Sequence, residues 1–577
     1  MPPVTPKLVS CSISSVLLVL AIGLLSACGG GGGSDSKSPA PQTSFSPSSS
    51  SPSPISSITS SANSLSNSST SSLPDTVTLS GRVTYDFVPH NLNHVGLNYS
   101  ATEQRPVRGA VVELINDSAQ TIASTTTDNK GGYVFNPPKN TVVKVRVKAQ
   151  ILKGNMPGWN FKVTDNTSGN SLYVLDGTLA SVGAQDSKRN LNALSGWDGV
   201  GYSGARAAAP FAILDNIYIA VNRLALAGNT KNLSPLELRW STKNSTAEGD
   251  VARGEIGTSY YDGSAIYILG DANQDTDEYD PHVLLHEWGH YLEAQLYRSD
   301  SLGGAHADGD FLDLRVAMSE GFANAFSGIM IDDINYSDAS GASQASGFNF
   351  SIGRKNRANK GFFNEGSIGS VLFNYYISGG NKTAADYSPV HAILSGASYI
   401  GSDAFTSIYL FNQQLKNIFP DHAVMFDGLL QEQNIFGTDE YGVNESNSGA
   451  SVNTLPVYKV LATNNVAVNV CSTAEFGKQN KLGNSQLLRL NIGQSGIYNV
   501  RLNKSGGAEV ASKPEFILYN KGAAQYYVPN TQPDNVSGNL TLGPGNYILE
   551  VYDLNNRDSK STVSNTTCFN VRATLAQ

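Results

Sequence analysis

Alternating apolar and polar positions predict β-strands in two separate parts of the chain. In residues 76–199 the alternating runs are separated by turn-forming clusters and lie at residues 76–85, 110–115, 121–127, 133–135 and 142–148. In residues 456–577 the corresponding runs lie at residues 486–492, 496–502, 515–519, 539–542 and 547–552. We therefore expect each part to fold as an all-β sandwich domain, the first of which ends in a connector.

Residues 200–455 change to the helical period. Apolar residues recur there at every third or fourth position, in runs at residues 209–224, 281–296, 313–331, 365–378 and 403–417. Strand-like runs at residues 236–240 and 265–269 lie between them. The pattern predicts a multidomain chain in which an α+β domain is flanked by two all-β sandwich domains.

The first 27 residues have the pattern of an export signal. Lys7 supplies a positive charge, and the apolar stretch from Val16 to Leu25 is too short to span a bilayer stably. The stretch ends in LSAC at residues 25–28, which resembles the lipobox of bacterial lipoproteins. The resemblance implies cleavage before Cys28 and a lipid on its thiol; the alternative is an ordinary signal with an accidental cysteine.

Residues 28–75 are rich in Gly, Ser and Pro, and this composition predicts a disordered tether. Gly29 follows the lipid site, whereas Asp at that position favours retention of such lipoproteins in the inner membrane. We therefore expect a lipid-anchored location in the cell envelope, at the outer membrane or the cell surface. Release into the medium is the alternative.

Cysteine use and net charge limit the compartment and the partners. Cys11 lies in the predicted signal and Cys28 at the lipid site, so Cys471 and Cys568 remain as a pair for one disulfide in an oxidising compartment. The net charge is -9, and no basic stripe concentrates the 39 Lys and Arg residues. We therefore expect no nucleic-acid partner.

The sequence HEWGH at residues 286–290 carries the most specific chemical signal. The Asp-Pro pair at residues 280–281 predicts a helix that begins just ahead of it. Positions i and i+4 lie on the same face of a helix, so His286 and His290 can bind one zinc ion. Glu287 is then placed as the general base that takes a proton from the attacking water. A chance occurrence of the pattern is the alternative.

Zinc needs a third protein ligand, and two residues downstream are candidates. Glu320 lies in the predicted helix over residues 313–331, whereas His306 lies in a glycine-rich stretch that also suits an exposed loop residue. We favour Glu320. Asn324 lies one turn further along the same helix, where it could accept the free ring N–H of a ligand histidine.

This arrangement resembles the gluzincins, the thermolysin-like zinc peptidases, which carry a helical glutamate downstream with a polar residue four positions later. Residues 261–271 also resemble the edge strand with which that family binds substrate by strand addition. The chain departs from the family at Asn324, usually Asp in thermolysin, and in the longer spacing to Glu320. The resemblance implies a zinc metallopeptidase that cleaves extracellular proteins or peptides. It favours an endopeptidase and leaves exopeptidase activity open.

Both β parts resemble modules that accompany secreted enzymes. Residues 106–114 and 127–135 look like the carboxypeptidase regulatory-like domain, which implies a binding or spacer role. Residues 542–551 resemble the pre-peptidase C-terminal β-sandwich of bacterial secreted proteases.

A peptidase of this kind needs a donor that stabilises the oxyanion of the tetrahedral intermediate. Tyr375, Tyr376 and His391 on the later helices are the candidates, and membership of the apolar core is the alternative for each. Glu365, at the start of a predicted helix, suits a partner of the helix dipole better than a catalyst.

A calcium site is a further possibility in the loop ahead of the motif. Asp271, Asn273, Asp275 and Asp277 alternate as oxygen ligands do in a calcium loop. Thr276 stands where a glycine is expected, so a solvated acidic loop is the alternative.

Two other functional interpretations stay open. The flanking β modules are compatible with a catalytically silent adhesion or carbohydrate-binding lipoprotein that retains the zinc-bearing fold, although the presence of Glu287 favours an enzyme. Alternatively, residues 76–200 are a removable or inhibitory pro-region.

Overall fold

The computed structural model describes residues 75–378 and 384–576. The predicted signal peptide, the lipid site at Cys28 and the tether up to residue 74 lie outside the described residues. Within them, several β-sheets occur toward both ends and the long helices lie in the middle, as expected for a multidomain chain.

The elements are given in chain order. The N-terminal strands are β1 (Leu79–Phe87), β2 (Glu103–Pro106), β3 (Ala110–Asn116), β4 (Thr121–Thr126), β5 (Gly132–Phe135), β6 (Val142–Lys153), β7 (Trp159–Asp165), β8 (Ser171–Leu172), β9 (Val174–Asp176), β10 (Ala180–Ser181), β11 (Ser187–Lys188) and β12 (Leu191–Ala193). The central elements are α1 (Ala209–Leu226), β13 (Leu236–Trp240), β14 (Tyr260–Tyr261), β15 (Ala265–Ile268), β16 (Gly270–Asp271), β17 (Asp275–Thr276), α2 (Pro281–Gln295), α3 (Leu314–Ile331), β18 (Asn335–Ser340), β19 (Ser346–Ser351), α4 (Glu365–Ser378), α5 (Ser388–Leu394), α6 (Ala397–Ile400), α7 (Ile408–Ile418) and α8 (Ala423–Glu432). The C-terminal elements are β20 (Tyr458–Leu461), β21 (Val468–Ser472), β22 (Ser485–Ile492), β23 (Gly496–Gly507), β24 (Pro514–Asn520), β25 (Ala523–Val528), β26 (Asn535–Leu542), β27 (Gly545–Asp553), α9 (Leu554–Arg557) and β28 (Thr567–Leu575).

The N-terminal strands form two sheets, and one of them continues into the central part of the chain. The smaller sheet is built around β1, which pairs with β2, β5, β11 and β12. The larger sheet runs in the order β14-β15-β13-β7-β6-β3-β4, with β13 parallel to β7. The hydrogen-bonded sheet therefore continues across the boundary predicted between residues 199 and 200. β13 covers the edge of β7, which would otherwise be exposed.

The outermost strand at this end of the sheet is β14, so of residues 261–271, the stretch that resembles an edge strand, only Tyr261 lies in the edge strand. β15 pairs with β13 on one side and with β14 on the other, so it is not an edge strand. Asp262 Oδ1 accepts the N–H groups of Ser264 and Ala265, and this tight turn folds β14 back onto β15. The exposed edge therefore belongs to Tyr260 and Tyr261.

The long helices agree with the hydrophobic pattern. The bounds of α2, α3 and α4 differ from the predicted ones by at most one residue. α7 begins at Ile408, later than expected, because Ser407 Oγ accepts the N–H of Leu410 and caps the helix there. Asp280 precedes α2 as predicted, but its carboxylate accepts the N–H of Ala339 and pairs with His90 instead of capping the helix.

Helices α2, α3 and α4 pack closely at glycine residues. A Cβ on Gly289 of α2 would lie 3.4 Å from the Cα of Ala323 in α3, which is ordinary contact. A Cβ on Gly321 of α3 would lie 2.5 Å from the Cβ of Ile368 in α4, which is a severe overlap. The crossing of α3 and α4 therefore requires glycine at position 321, next to Glu320.

The C-terminal strands form two facing sheets, in the orders β20-β22-β27-β24-β25 and β21-β28-β23-β26. Their inward side chains form a separate apolar core that includes Leu488, Val500, Phe516, Leu549 and Phe569. The predicted disulfide is confirmed: Cys471 and Cys568 are cross-strand neighbours in β21 and β28, with sulfurs 2.06 Å apart.

A buried ion pair joins this sandwich to α3. Arg315 Nη2 lies 2.7 Å from Glu550 Oε1 in β27, and Arg315 Nε lies 2.8 Å from Asp313 Oδ1. Burial would raise the pKa of Glu550, but the charges of Arg315 and Arg557 outweigh it and hold the pKa far below the usual range. The C-terminal sandwich thus contacts the helix that carries Glu320 directly.

We expect Gly321→Ala to destabilise the chain, because its methyl group would overlap Ile368 and push α3 away from α4. Overpacking of this kind lowers the free energy of unfolding by about 1–3 kcal/mol. Gly289→Ala is the matched control, since its methyl group fits at contact distance and alanine favours the helix. Thermal unfolding of both variants checks the prediction, and equal Tm values would contradict it.

Candidate metal centre

Helices α2 and α3 bring three potential metal ligands together. His286 and His290 lie one turn apart on α2, and Glu320 faces them from α3. His286 Nε2 lies 3.1 Å from His290 Nε2, and each of these nitrogens lies 3.2 Å from Glu320 Oε2. Sequence spacing alone does not predict that Glu320 reaches the two histidines, because its position depends on how α3 crosses α2.

The rings are oriented through their other nitrogens. His286 Nδ1 donates to Asn324 Oδ1 at 3.0 Å, and His290 Nδ1 donates to Glu293 Oε2 at 3.2 Å. Ser319 Oγ donates to the same oxygen of Glu293 at 2.5 Å. With the ring proton on Nδ1, each Nε2 can present a lone pair to a metal ion beside Glu320, as metal-binding histidines do.

The spacing of the three donor atoms fits a single zinc ion. Tetrahedral ligands about 2.0–2.1 Å from zinc lie about 3.3 Å from one another. The measured separations of 3.1 and 3.2 Å are close to that value. Three donor atoms at these separations suit a metal ion of this size.

Ionisation of Glu320 is favoured by its surroundings. Burial would raise its pKa, but His306 and His290 outweigh this effect, and the pKa lies well below the usual range. Glu320 is therefore a carboxylate, which is the form that binds metal.

Glu287 is buried beside the three donors and is held by the edge of the sheet. Its Oε2 accepts the backbone N–H of Tyr261 at 2.9 Å, so α2 and β14 are joined at this point. A cleft of about 370 Å³ opens here, lined by Tyr260, Tyr261, Glu287, His290 and Glu320 among others. The His290 side chain, at 19% exposure, is the most accessible of the three donor side chains. The cleft thus brings the carboxylate of Glu287, the imidazole of His290 and the strand β14 around one space.

His306 is part of the same cluster, which differs from its interpretation as an exposed loop residue. It is 8% exposed, and its Nε2 lies 3.3 Å from Glu320 Oε2. His306 Nδ1 donates to Glu365 Oε2 at 2.6 Å, so the glutamate at the start of α4 fixes the ring. Burial lowers the pKa of His306, but Glu320 and Glu365 raise it to about 9.

The structure does not bring Tyr375 or His391 to the cluster. Tyr375 lies ten residues after Glu365 on α4, about 15 Å further along the helix. Its Oη lies 2.7 Å from His422 Nδ1. His391 Nδ1 lies 2.9 Å from Tyr297 Oη, and burial lowers the pKa of His391 to about 4. The geometry gives no support to a catalytic role for either residue.

Tyr376, the remaining candidate, also lies away from the three donors. Its Oη donates to Asp332 Oδ1, which belongs to the residue just after α3. All three aromatic candidates on the later helices therefore have partners elsewhere.

The predicted calcium loop is divided by the structure. Asp271 Oδ1 accepts the N–H of Asn273 within the turn between β16 and β17. Asp275 and Asp277 instead approach Asp338 on β18. Only the second half of the alternating pattern thus belongs to a cluster.

Sequence reasoning missed Glu293, Ser319 and a hydrogen-bonding role for Glu365. Glu293 could have been found, because it lies three residues after His290 and one helical turn away. Nothing in the sequence separates Ser319 and Glu365 from other polar residues of their helices.

Comparisons with known proteins give no family: no family model matches the chain, and no curated protein matches it. Similar solved structures include the pre-peptidase C-terminal domain of a collagenase from Bacillus anthracis, at 11% identity and a TM-score of 0.15 over 20% of this chain and 93% of that chain. CorA, a surface-associated copper-binding protein of Methylomicrobium album BG8, matches at 12% identity and a TM-score of 0.16 over 21% and 98%. PliG, a periplasmic inhibitor of g-type lysozyme from Aeromonas hydrophila, matches at 12% identity and a TM-score of 0.13 over 20% and 98%. TM-scores this low carry no argument about activity.

No helix among the described residues is both long enough and apolar enough to cross a membrane.

Asn324→Ala removes the acceptor that orients His286, and we expect the affinity for zinc to fall by about 10–100-fold. Asn324→Asp keeps an acceptor oxygen at the same position and serves as the control, with affinity near that of the unmodified chain. Competition with a chromophoric chelator measures both variants. Unchanged affinity in Asn324→Ala would contradict this role.

Proposed function

We propose that the chain is a zinc-dependent peptidase that hydrolyses peptide bonds in extracellular proteins or peptides. The observation that carries the proposal is the geometry of His286, His290 and Glu320, whose donor atoms have the separations of zinc ligands. The predicted lipid on Cys28 would hold the enzyme at the cell envelope.

His286, His290 and Glu320 would hold the zinc ion. When bound there, zinc supplies Lewis acidity, which polarises a carbonyl group and lowers the pKa of a water molecule. Glu287 lines the same cleft and is placed to take the proton of the attacking water and to return it to the leaving amine. The N–H of Tyr261 accounts for one of its lone pairs and keeps the carboxylate facing the cleft.

Substrate binding is assigned to the outer edge of β14, where the N–H of Tyr261 is donated to Glu287 Oε2. An extended peptide can add to an exposed strand through backbone hydrogen bonds, which requires no particular side chain. Because Tyr261 both belongs to this edge and contacts Glu287, a peptide bound along β14 would lie beside the general base.

We assign the stabilisation of the oxyanion to His306. Its Nδ1 is fixed by Glu365, and its Nε2 faces Glu320. A ring held in this way can donate from Nε2 to negative charge that develops beside the metal ligands. Tyr375 and His391 are replaced in this role, because their own hydrogen bonds direct them elsewhere.

We expect Glu287→Gln to keep about one zinc per chain, because Glu287 is not a ligand. Its kcat should fall by at least about 10²-fold, because glutamine cannot act as a general base. Zinc content and hydrolysis of a mixed peptide library measure the two effects on the full chain.

Glu509→Gln, an exposed glutamate in the C-terminal sandwich, is the control and should retain full activity. If the unmodified chain holds zinc and cuts no peptide, even after limited proteolysis to remove a pro-region, the adhesion interpretation is favoured. Absence of zinc from the unmodified chain would contradict the proposed centre.

We expect His306→Gln to retain zinc and to lose about 10²–10³-fold in kcat, with KM little changed, because an oxyanion donor acts in the transition state. Glu365→Gln should reduce kcat in the same direction and by less. Tyr375→Phe is the control and should leave kcat unchanged. Loss of zinc in His306→Gln would show that this residue is a ligand and would overturn its assignment as the donor.

A further inference from the structure

A second group of carboxylates lies just ahead of the zinc-binding helix. Asp275 begins β17, Asp277 directly follows that strand, and Asp338 lies on β18. One carboxylate oxygen from each lies within 4.8 Å of the others. Asp275 pairs with Ser340 in antiparallel register, so a step of two residues along each chain brings Asp277 toward Asp338.

Two of these three carboxylates are buried in the interior. Asp277 is 2% exposed and Asp338 is 3% exposed. In the described part of the chain, no Lys, Arg or His forms an ion pair with any of the three. Two basic side chains nearby have other partners, since Arg206 pairs with Glu278 and His90 pairs with Asp280.

Two oxygens in the group also lack hydrogen bonds. Asp275 Oδ1 and Asp277 Oδ1 are buried, and neither has a hydrogen-bond partner in the described protein. The other oxygen of Asp277 accepts from Ser259 Oγ, so only Oδ1 is free to serve as a ligand. An acceptor buried without a partner is strongly unfavourable, and more so when it is charged.

Burial and mutual repulsion both act against ionisation of the group. Burial, together with the charges of the neighbouring aspartates, raises the pKa values of Asp275, Asp277 and Asp338 well above the usual range. A bound cation would reverse this effect, because it compensates the charges and occupies the free oxygens at the same time.

We infer that Asp275, Asp277 and Asp338 bind a calcium ion. The group offers only oxygen atoms, which suit calcium, and lacks the nitrogen and sulfur donors that zinc prefers. Asp275 is partly exposed, so water can complete the larger ligand number that calcium takes. The site does not depend on peptide hydrolysis and is separate from the zinc ligands on α2 and α3.

This calcium ion would stiffen both sides of the proposed active site. Ser259, which donates to Asp277, immediately precedes β14, and its Oγ also accepts the N–H of Leu269. On the other side, the segment that carries Asp277 leads into α2 through Asp280, whose carboxylate accepts the N–H of Ala339. One ion therefore joins the strand edge, the start of the zinc helix and β18.

Calcium titration of the zinc-loaded full chain tests the inference. We expect one calcium to bind with a Kd of about 10⁻⁴ M or tighter, measured by calorimetry in calcium-free buffer, while the zinc content stays constant. Tm should rise with calcium concentration, because only the folded chain forms the site.

Asp338→Asn and Asp271→Asn are the matched variants. Asp338→Asn should weaken calcium binding by at least about 10-fold, and without calcium its Tm should exceed that of the unmodified chain, because one repelling charge is removed. Asp271→Asn lies in the same hairpin but outside the group, so it should bind calcium normally.

Three results would overturn the inference. The first is absence of calcium binding and of any rise in Tm, which would mean that protonation alone neutralises the group. The second is an equal rise in Tm with magnesium, which would exclude a calcium-selective site. The third is a loss of binding in Asp271→Asn that matches the loss in Asp338→Asn, which would place the site in the loop instead.

Discussion

The convergence of His286, His290 and Glu320 depends on how closely α2, α3 and α4 pack. Glycine at position 321 lets α4 approach α3 at a distance that no side chain would permit. That approach brings Glu365 at the start of α4 to His306, whose other nitrogen faces Glu320. The donor atoms are therefore positioned by helix packing together with hydrogen bonds to the rings, and a change in helix spacing would disturb all of them at once.

The same packing also places histidines beside the buried carboxylates and so balances their charge. The carboxylates of Glu293, Glu320 and Glu365 are buried, and each lies beside a histidine nitrogen. Asp275, Asp277 and Asp338 form no ion pair with a Lys, Arg or His among the described residues, which supports the cation inferred there and sets them apart from Glu365. Two neighbouring acidic groups thus differ in chemistry because one includes imidazoles and the other includes only oxygen atoms.

The flanking β parts contribute directly to the central fold. β7 extends the sheet through β13, and Phe161 of β7 packs edge-on against Trp288, next to Glu287. At the other end, the buried pair of Arg315 and Glu550 ties the C-terminal sandwich to α3. Breaking such a pair leaves a buried charge without compensation, so the sandwich and the helix are energetically coupled.

The sequence by itself determined the elements whose signals are local. The bounds of α2, α3 and α4, the pairing of Cys471 with Cys568 and the placement of His286 and His290 on one helical face follow from periodicity, counting and the pitch of a helix. Tertiary structure alone decided the features that depend on distant contacts. These include the continuity of the sheet across residue 200, the edge position of β14, the burial of His306 against Glu365 and the approach of Asp338 to Asp275 and Asp277. Residues separated by tens of positions leave no periodic trace of their contact, because contact is set by how the elements pack against one another.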